Sequence, residues 1–153
     1  LLASSVINLF QDTIEKVVVL AVLMPIVASM GGIAGTQSLT ILIRAMAMGQ
    51  VNHRNELWLI GRESLVGLLN GLLWAAVIAT TASLWFGDPM LGIIIACAML
   101  INLVTAGATG AGLPIALRKL QVDPALAGGV LVTTVTDVMG FLAFLGLATA
   151  FYA

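Results

Sequence analysis

PALAGGVLVTTVTDVMGFLAFLGLATAFYA, residues 124–153, decides the fold class. These thirty residues carry one charge, Asp137, at the fourteenth position. A spanning helix needs ~20 mostly apolar residues, so this stretch crosses a bilayer with room to spare. Pro124 suits its first helical turn, where a missing N–H costs nothing.

The rest of the chain has the same character. Apolar residues make up 61% of it and charged residues only 8%, against ~45–50% and ~25% in soluble domains. Mean hydropathy is +1.15. Six Lys/Arg and seven Asp/Glu are too few to coat a soluble domain of 153 residues. The balance excludes a soluble globule, a disordered chain and a nucleic-acid binder. It implies an all-α integral membrane protein, lodged in the lipid bilayer as one transmembrane domain over residues 1–153.

Outward from the last helix, four long apolar segments and a stub are expected. The stub covers about residues 1–10 and resembles the end of a helix whose start is missing. Gln11–Lys16 is a polar break. Further segments cover about 17–47, 63–86, 90–117 and 124–151. Met48–Arg62 reads as a polar connection, and Gly87-Asp88-Pro89 as a turn. The chain opens inside an apolar stretch on Leu1, which suggests a trimmed piece.

Arg44, Arg54 and Arg62 flank one connection, and Arg118 and Lys119 the other. The positive-inside rule makes that side cytoplasmic and sends the C-terminus outside. Trp85 and Tyr152 then fall at the outer boundary, where aromatic belts sit.

A carboxylate at mid-membrane costs ~2.5–3.5 kcal/mol on insertion scales. Nothing near Asp137 in sequence is basic. Gly129, Thr133, Thr136 and Gly140 share its helical side. Three readings stand: a cation site, a proton relay, or a protonated acid bonded across a helix interface. A single carboxylate among hydroxyls suits magnesium, which sheds water reluctantly and takes one or two carboxylates. Ser29, Gly32, Thr36, Thr40 and Gln37 form a second polar stripe, and Asn102, Thr105, Thr109 and Gly112 a third. Each alone is ordinary small-residue packing; together, beside one acid, they suggest a polar conduit. Two segments rich in Gly and Pro suggest helices interrupted at a transport site.

In the 63–86 segment, Gly67 and Gly71 form a GxxxG pattern. Glu63 reads either as an interfacial residue paired with Arg62 or Arg54, or as a cytoplasmic ion entrance. Enzyme motifs are missing. The one histidine, His53, lies in a polar connection, and there is no HExxH, GxSxG or P-loop. Cys97, the sole cysteine, reads as a packing residue, and Trp74 as lipid- or core-facing.

Three stretches, in order, resemble the MgtE family of magnesium channels: Met24-Pro-Ile-Val-Ala-Ser-Met-Gly-Gly-Ile-Ala-Gly-Thr-Gln37, Gly107-Ala-Thr-Gly-Ala-Gly-Leu-Pro114, and Asp123-Pro-Ala-Leu-Ala with Val132-Thr-Thr-Val-Thr-Asp137. The resemblance implies five transmembrane helices per subunit, the first truncated here. It also implies a homodimer with its pore at the subunit interface, in the plasma (inner) membrane. Cytoplasmic N-terminal and CBS domains would precede Leu1. It implies a metal site at Asp137, helped by the Thr133 carbonyl. Ser29, Gly32, Ile33, Thr36, Gly129 and Thr136 are expected to line the pore. Ile33 stands where the family usually has Asn. Mg2+ is then the transported ion, with no resident cofactor. The competing readings are a proton- or sodium-coupled divalent cation exchanger using the same acid, and a non-conducting membrane module.

Overall fold

The computed structural model describes residues 1–152; Ala153 lies outside the described residues. Six helices follow in order: α1 (Leu2–Leu9), α2 (Gln11–Lys16), α3 (Val19–Ala47), α4 (Glu56–Phe86), α5 (Pro89–Lys119) and α6 (Pro124–Tyr152). The last four are long and apolar enough to cross a membrane. At 1.5 Å per residue, helices of this length reach ~43–47 Å, beyond the ~30 Å hydrocarbon core, so tilting or protruding ends are required.

Three features differ from the sequence reading. Gln11–Lys16 is a short helix rather than a break, and Thr13 Oγ1 meets Thr149 Oγ1 of α6 at 2.8 Å. The helix expected from residue 63 begins at Glu56. The preceding connection is compact because its asparagines bond locally: Asn52 N donates to Asn55 Oδ1 at 2.9 Å, and Asn55 Nδ2 to the Gln50 carbonyl at 2.8 Å. Glu56 then sits at a helix N-terminus, where negative charge is favoured. Lys119 Nζ and Arg118 Nη2 reach it from the end of α5, at 2.6 and 3.6 Å. The start of α4 and the end of α5, which carry Arg62, Arg118 and Lys119, therefore lie at one end of the bundle.

The third difference concerns the Gly/Pro-rich segments. Both α3 and α5 continue unbroken through Pro25 and Pro114. Their glycines bring backbones together instead of opening them. A Cβ at Gly67 would stand 2.3 Å from the Leu103 carbonyl, and one at Gly107 would stand 2.3 Å from the Glu63 carbonyl. This is reciprocal α4–α5 backbone contact, the small-residue packing that bilayers favour. Helix α5 forms the centre of the bundle, with Ile94, Ile95, Ala98, Met99, Leu103 and Ala106 buried, and packs on α3, α4 and α6.

The opposite end is tied by Asp88. Gly87 closes α4 with φ +68°. Asp88 caps α5 by accepting from the amides of Met90 and Leu91 at 2.9 and 3.3 Å, and it also accepts the Tyr152 hydroxyl. The Tyr152 bond, seconded by those amides, holds the Asp88 carboxyl below the usual carboxylate range. Trp85 is exposed on the same end, as a belt residue should be. Trp74 is exposed on the bundle surface. Cys97 is also exposed rather than packed, because it lies on the outer side of the central helix.

Gly67→Ala and Gly107→Ala should each destabilise the bundle by about 1–3 kcal/mol through forced backbone separation. Gly61→Ala, with nothing within 4 Å, should instead stabilise it slightly, as Ala replaces Gly in a helix; thermal unfolding in detergent reads both signs. A depressed carboxyl adds stability that is present above its unfolded value of ~3.9 and is lost as pH falls through the folded value. Acid titration of the unfolding temperature should therefore show a smaller drop in Tyr152→Phe than in the wild type.

Candidate functional site: a polar groove between two helices

The stripe Pro25, Ser29, Gly32, Ile33, Thr36, Thr40 and Ile41 recurs at three- and four-residue steps, so it forms one side of α3. Thr133 and Asp137, four apart, do the same on α6. Together these two sides wall an open groove of about 1020 Å³. From Pro25 to Ile41 it runs ~24 Å along α3, most of the thickness of a hydrocarbon core.

Asp137 is half-buried on its wall. Among the described residues, the ion pairs all gather at Glu56, so no basic side chain neutralises it. The hydroxyls around it are spent on their own helix: Thr36 Oγ1 donates to the Gly32 carbonyl at 2.7 Å and Thr40 Oγ1 to the Thr36 carbonyl at 2.8 Å. Their oxygen lone pairs stay free to accept from water in the groove.

The remaining expected residues are placed as follows. Ser29, Gly32, Ile33 and Thr36 line the groove with Thr133 and Asp137. Thr136 does not. It is fully buried, packs toward Gly35 of α3, and bonds back to the Val132 and Thr133 carbonyls at 3.0 and 3.1 Å. The Thr133 carbonyl accepts the Thr136 hydroxyl, and Thr133 itself lines the groove. Gly129 stands one turn before Thr133, facing open space and outside the groove lining. The α5 stripe of Asn102, Thr105 and Thr109 is also off the groove, because α5 lies behind both walls. Among the described residues Glu63 has no arginine partner. It is 3% exposed and accepts from Ser38 Oγ of α3 at 2.9 Å, while Arg62 lies over the Trp58 ring.

Sequence reasoning treated Asn102 as part of a polar stripe and missed its task. Asn102 is buried where α5 meets both groove helices. Its Nδ2 donates to the Val27 carbonyl of α3 at 2.8 Å. A Cβ at Gly31 or at Gly140 would stand 2.2 or 2.7 Å from that nitrogen. Two glycines on two helices thus make room for one amide, which links α3 to the bundle three residues past Asp137 on α6. The pattern Gly31…Asn102…Gly140 carries no local signal, since its members are distant in sequence.

Residues 24–147 match the MgtE family profile, described as a divalent cation transporter. The chain belongs to the MgtE family. It is 38% identical to the magnesium transporter MgtE of Bacillus subtilis over 99% of its own length, and 35% identical to that of Thermus thermophilus over 97%. The Enterococcus faecalis MgtE is 32% identical over the same share. The chain spans about a third of the length of these curated relatives. The MgtE match covers both groove walls and the helix behind them.

Asn102→Ala should cost about 1–3 kcal/mol by leaving a small cavity and removing a buried bond. Unfolding temperature in detergent measures it, and an unchanged value would show that the amide holds nothing.

Proposed function

We propose that this chain builds one side of a passive magnesium pathway, with hydrated Mg2+ held in the groove by Asp137. Transport of magnesium is what the relatives' names state. The observation that carries the reading further is the Asp137 carboxylate, unpaired by any described basic group, on the wall of a groove that runs most of the thickness of a hydrocarbon core. A desolvated lone carboxylate is costly, and a divalent cation that keeps its water offsets it. The groove is wide enough for an ion with its shell. Magnesium's preference for one or two carboxylates plus several waters fits such a site.

The groove is open along one side, and Ile33 and Ile41 on its edge are 57% and 50% exposed. A second copy related by a two-fold axis would close it into a pore and bring two Asp137 carboxylates near that axis. Like charges so placed hold a divalent cation and repel each other without one. Ile33 would narrow that pore with an apolar side chain and leave the ion's water shell to Ser29 and Thr36. The positive-inside rule applied to the five Lys/Arg of one end supports a cytoplasmic position for that end, with the C-terminus outside. Domains preceding the chain in the whole protein, such as the expected CBS domains, would gate the pore from the cytoplasmic end.

Asp137→Ala should reduce magnesium uptake into proteoliposomes at least tenfold while leaving the oligomer on size-exclusion chromatography unchanged. Wild-type flux in that variant would refute the assignment of Asp137.

A further inference from the structure

A second carboxylate lies within the bundle, behind the groove. Glu63 is 3% exposed, and the described ion pairs do not include it. One hydrogen bond, from Ser38 Oγ at 2.9 Å, serves it, although an ionised carboxylate offers about four lone-pair sites. Its helix is anchored there, because the Glu63 carbonyl is the atom that Gly107 of α5 packs against.

Glu63 opens on a pocket of about 60 Å³ between α3, α4 and α5. Its polar lining is Gln37 and Ser38 from α3 with Glu63 and Asn70 from α4. Every other lining side chain is apolar or glycine, and Glu63 is the one titratable group there. Gln37 and Ile41 also line the groove of Asp137, so the pocket and the groove are neighbours across α3.

We propose that this pocket is a second cation site, for a small monovalent cation such as sodium. Charge and size select it. One carboxylate with neutral oxygens balances one positive charge. The donors are all hard oxygens: a carboxylate, a hydroxyl and two side-chain amides. The pocket is far smaller than the groove, about 60 Å³ against about 1020 Å³, so it favours an ion that sheds water readily over magnesium, which keeps several waters. The two acids thus divide the labour: Asp137 faces a wide, wet groove, and Glu63 a tight pocket that locks α3 to α4. A bound monovalent cation stabilises the wall that carries Ser29, Gly32 and Thr36.

The test is the unfolding temperature of the protein in nanodiscs, titrated with NaCl against N-methylglucamine chloride at equal ionic strength, with magnesium chelated. Sodium should raise it by mass action. Glu63→Gln should abolish the shift, and Asp137→Asn should keep it. Asn70→Ala, which leaves the carboxylate in place and sits on an exposed turn, should move the sodium midpoint about tenfold higher. No sodium-specific shift in the wild type, or an equal shift in Glu63→Gln, overturns the proposal. These outcomes are independent of magnesium flux through the groove.

Discussion

Close backbone approach at the central helix is the constraint on which the rest of the molecule depends. Lipid tails are as apolar as leucine, so helices in a bilayer gain little by hiding apolar surface from one another. What holds them is contact without gaps. Gly67, Gly107 and Gly110 let α4 and α3 meet α5 at distances that a methyl group would forbid. Asn102 adds the one amide-to-backbone bond that spans from α5 to α3. With α5 buried as the common partner, α3 and α6 each have one side occupied and another free.

That free side is where the polar residues stand. In a helix pair without the hub, Thr36, Thr40, Thr133 and Asp137 would have to pack on something. Here the hub supplies the packing, and the groove is left open between α3 and α6. The same logic separates the two acids. Asp137 points away from the hub and keeps no protein partner. Glu63 lies on the hub side of α4, next to the glycine contact, with a hydroxyl from α3 as its neighbour. The groove beside Asp137 and the pocket beside Glu63 differ in volume by more than tenfold.

Much of this could be read from residues in order. The four spans, the Gly87-Asp88-Pro89 turn, the place of Pro124 in the first turn of α6 and the isolation of Asp137 follow from hydropathy, turn chemistry and the absence of a basic neighbour. The errors came where a pattern admits two structures. Glycine and proline in α3 and α5 serve equally for unwound helices and for tight ones, and only the neighbouring backbone distinguishes them. The polar residues from 129 to 140 were treated as one stripe. At 100° per residue, Thr133 and Thr136 lie roughly 60° apart around α6, enough to put one in the groove and the other in the core.

The sequence by itself determined that this is a helical membrane protein, where its spans run, which family it belongs to and which acid is stranded in an apolar helix, because these depend on composition and short-range periodicity. The tertiary structure alone decided that Asp137 faces a groove and Glu63 a tight pocket, and that Asn102 sits between Gly31 and Gly140. Those facts depend on which helix covers which side, and that is set by contacts such as Ser38–Glu63 and Val27–Asn102, 25 and 75 positions apart, that no local pattern encodes.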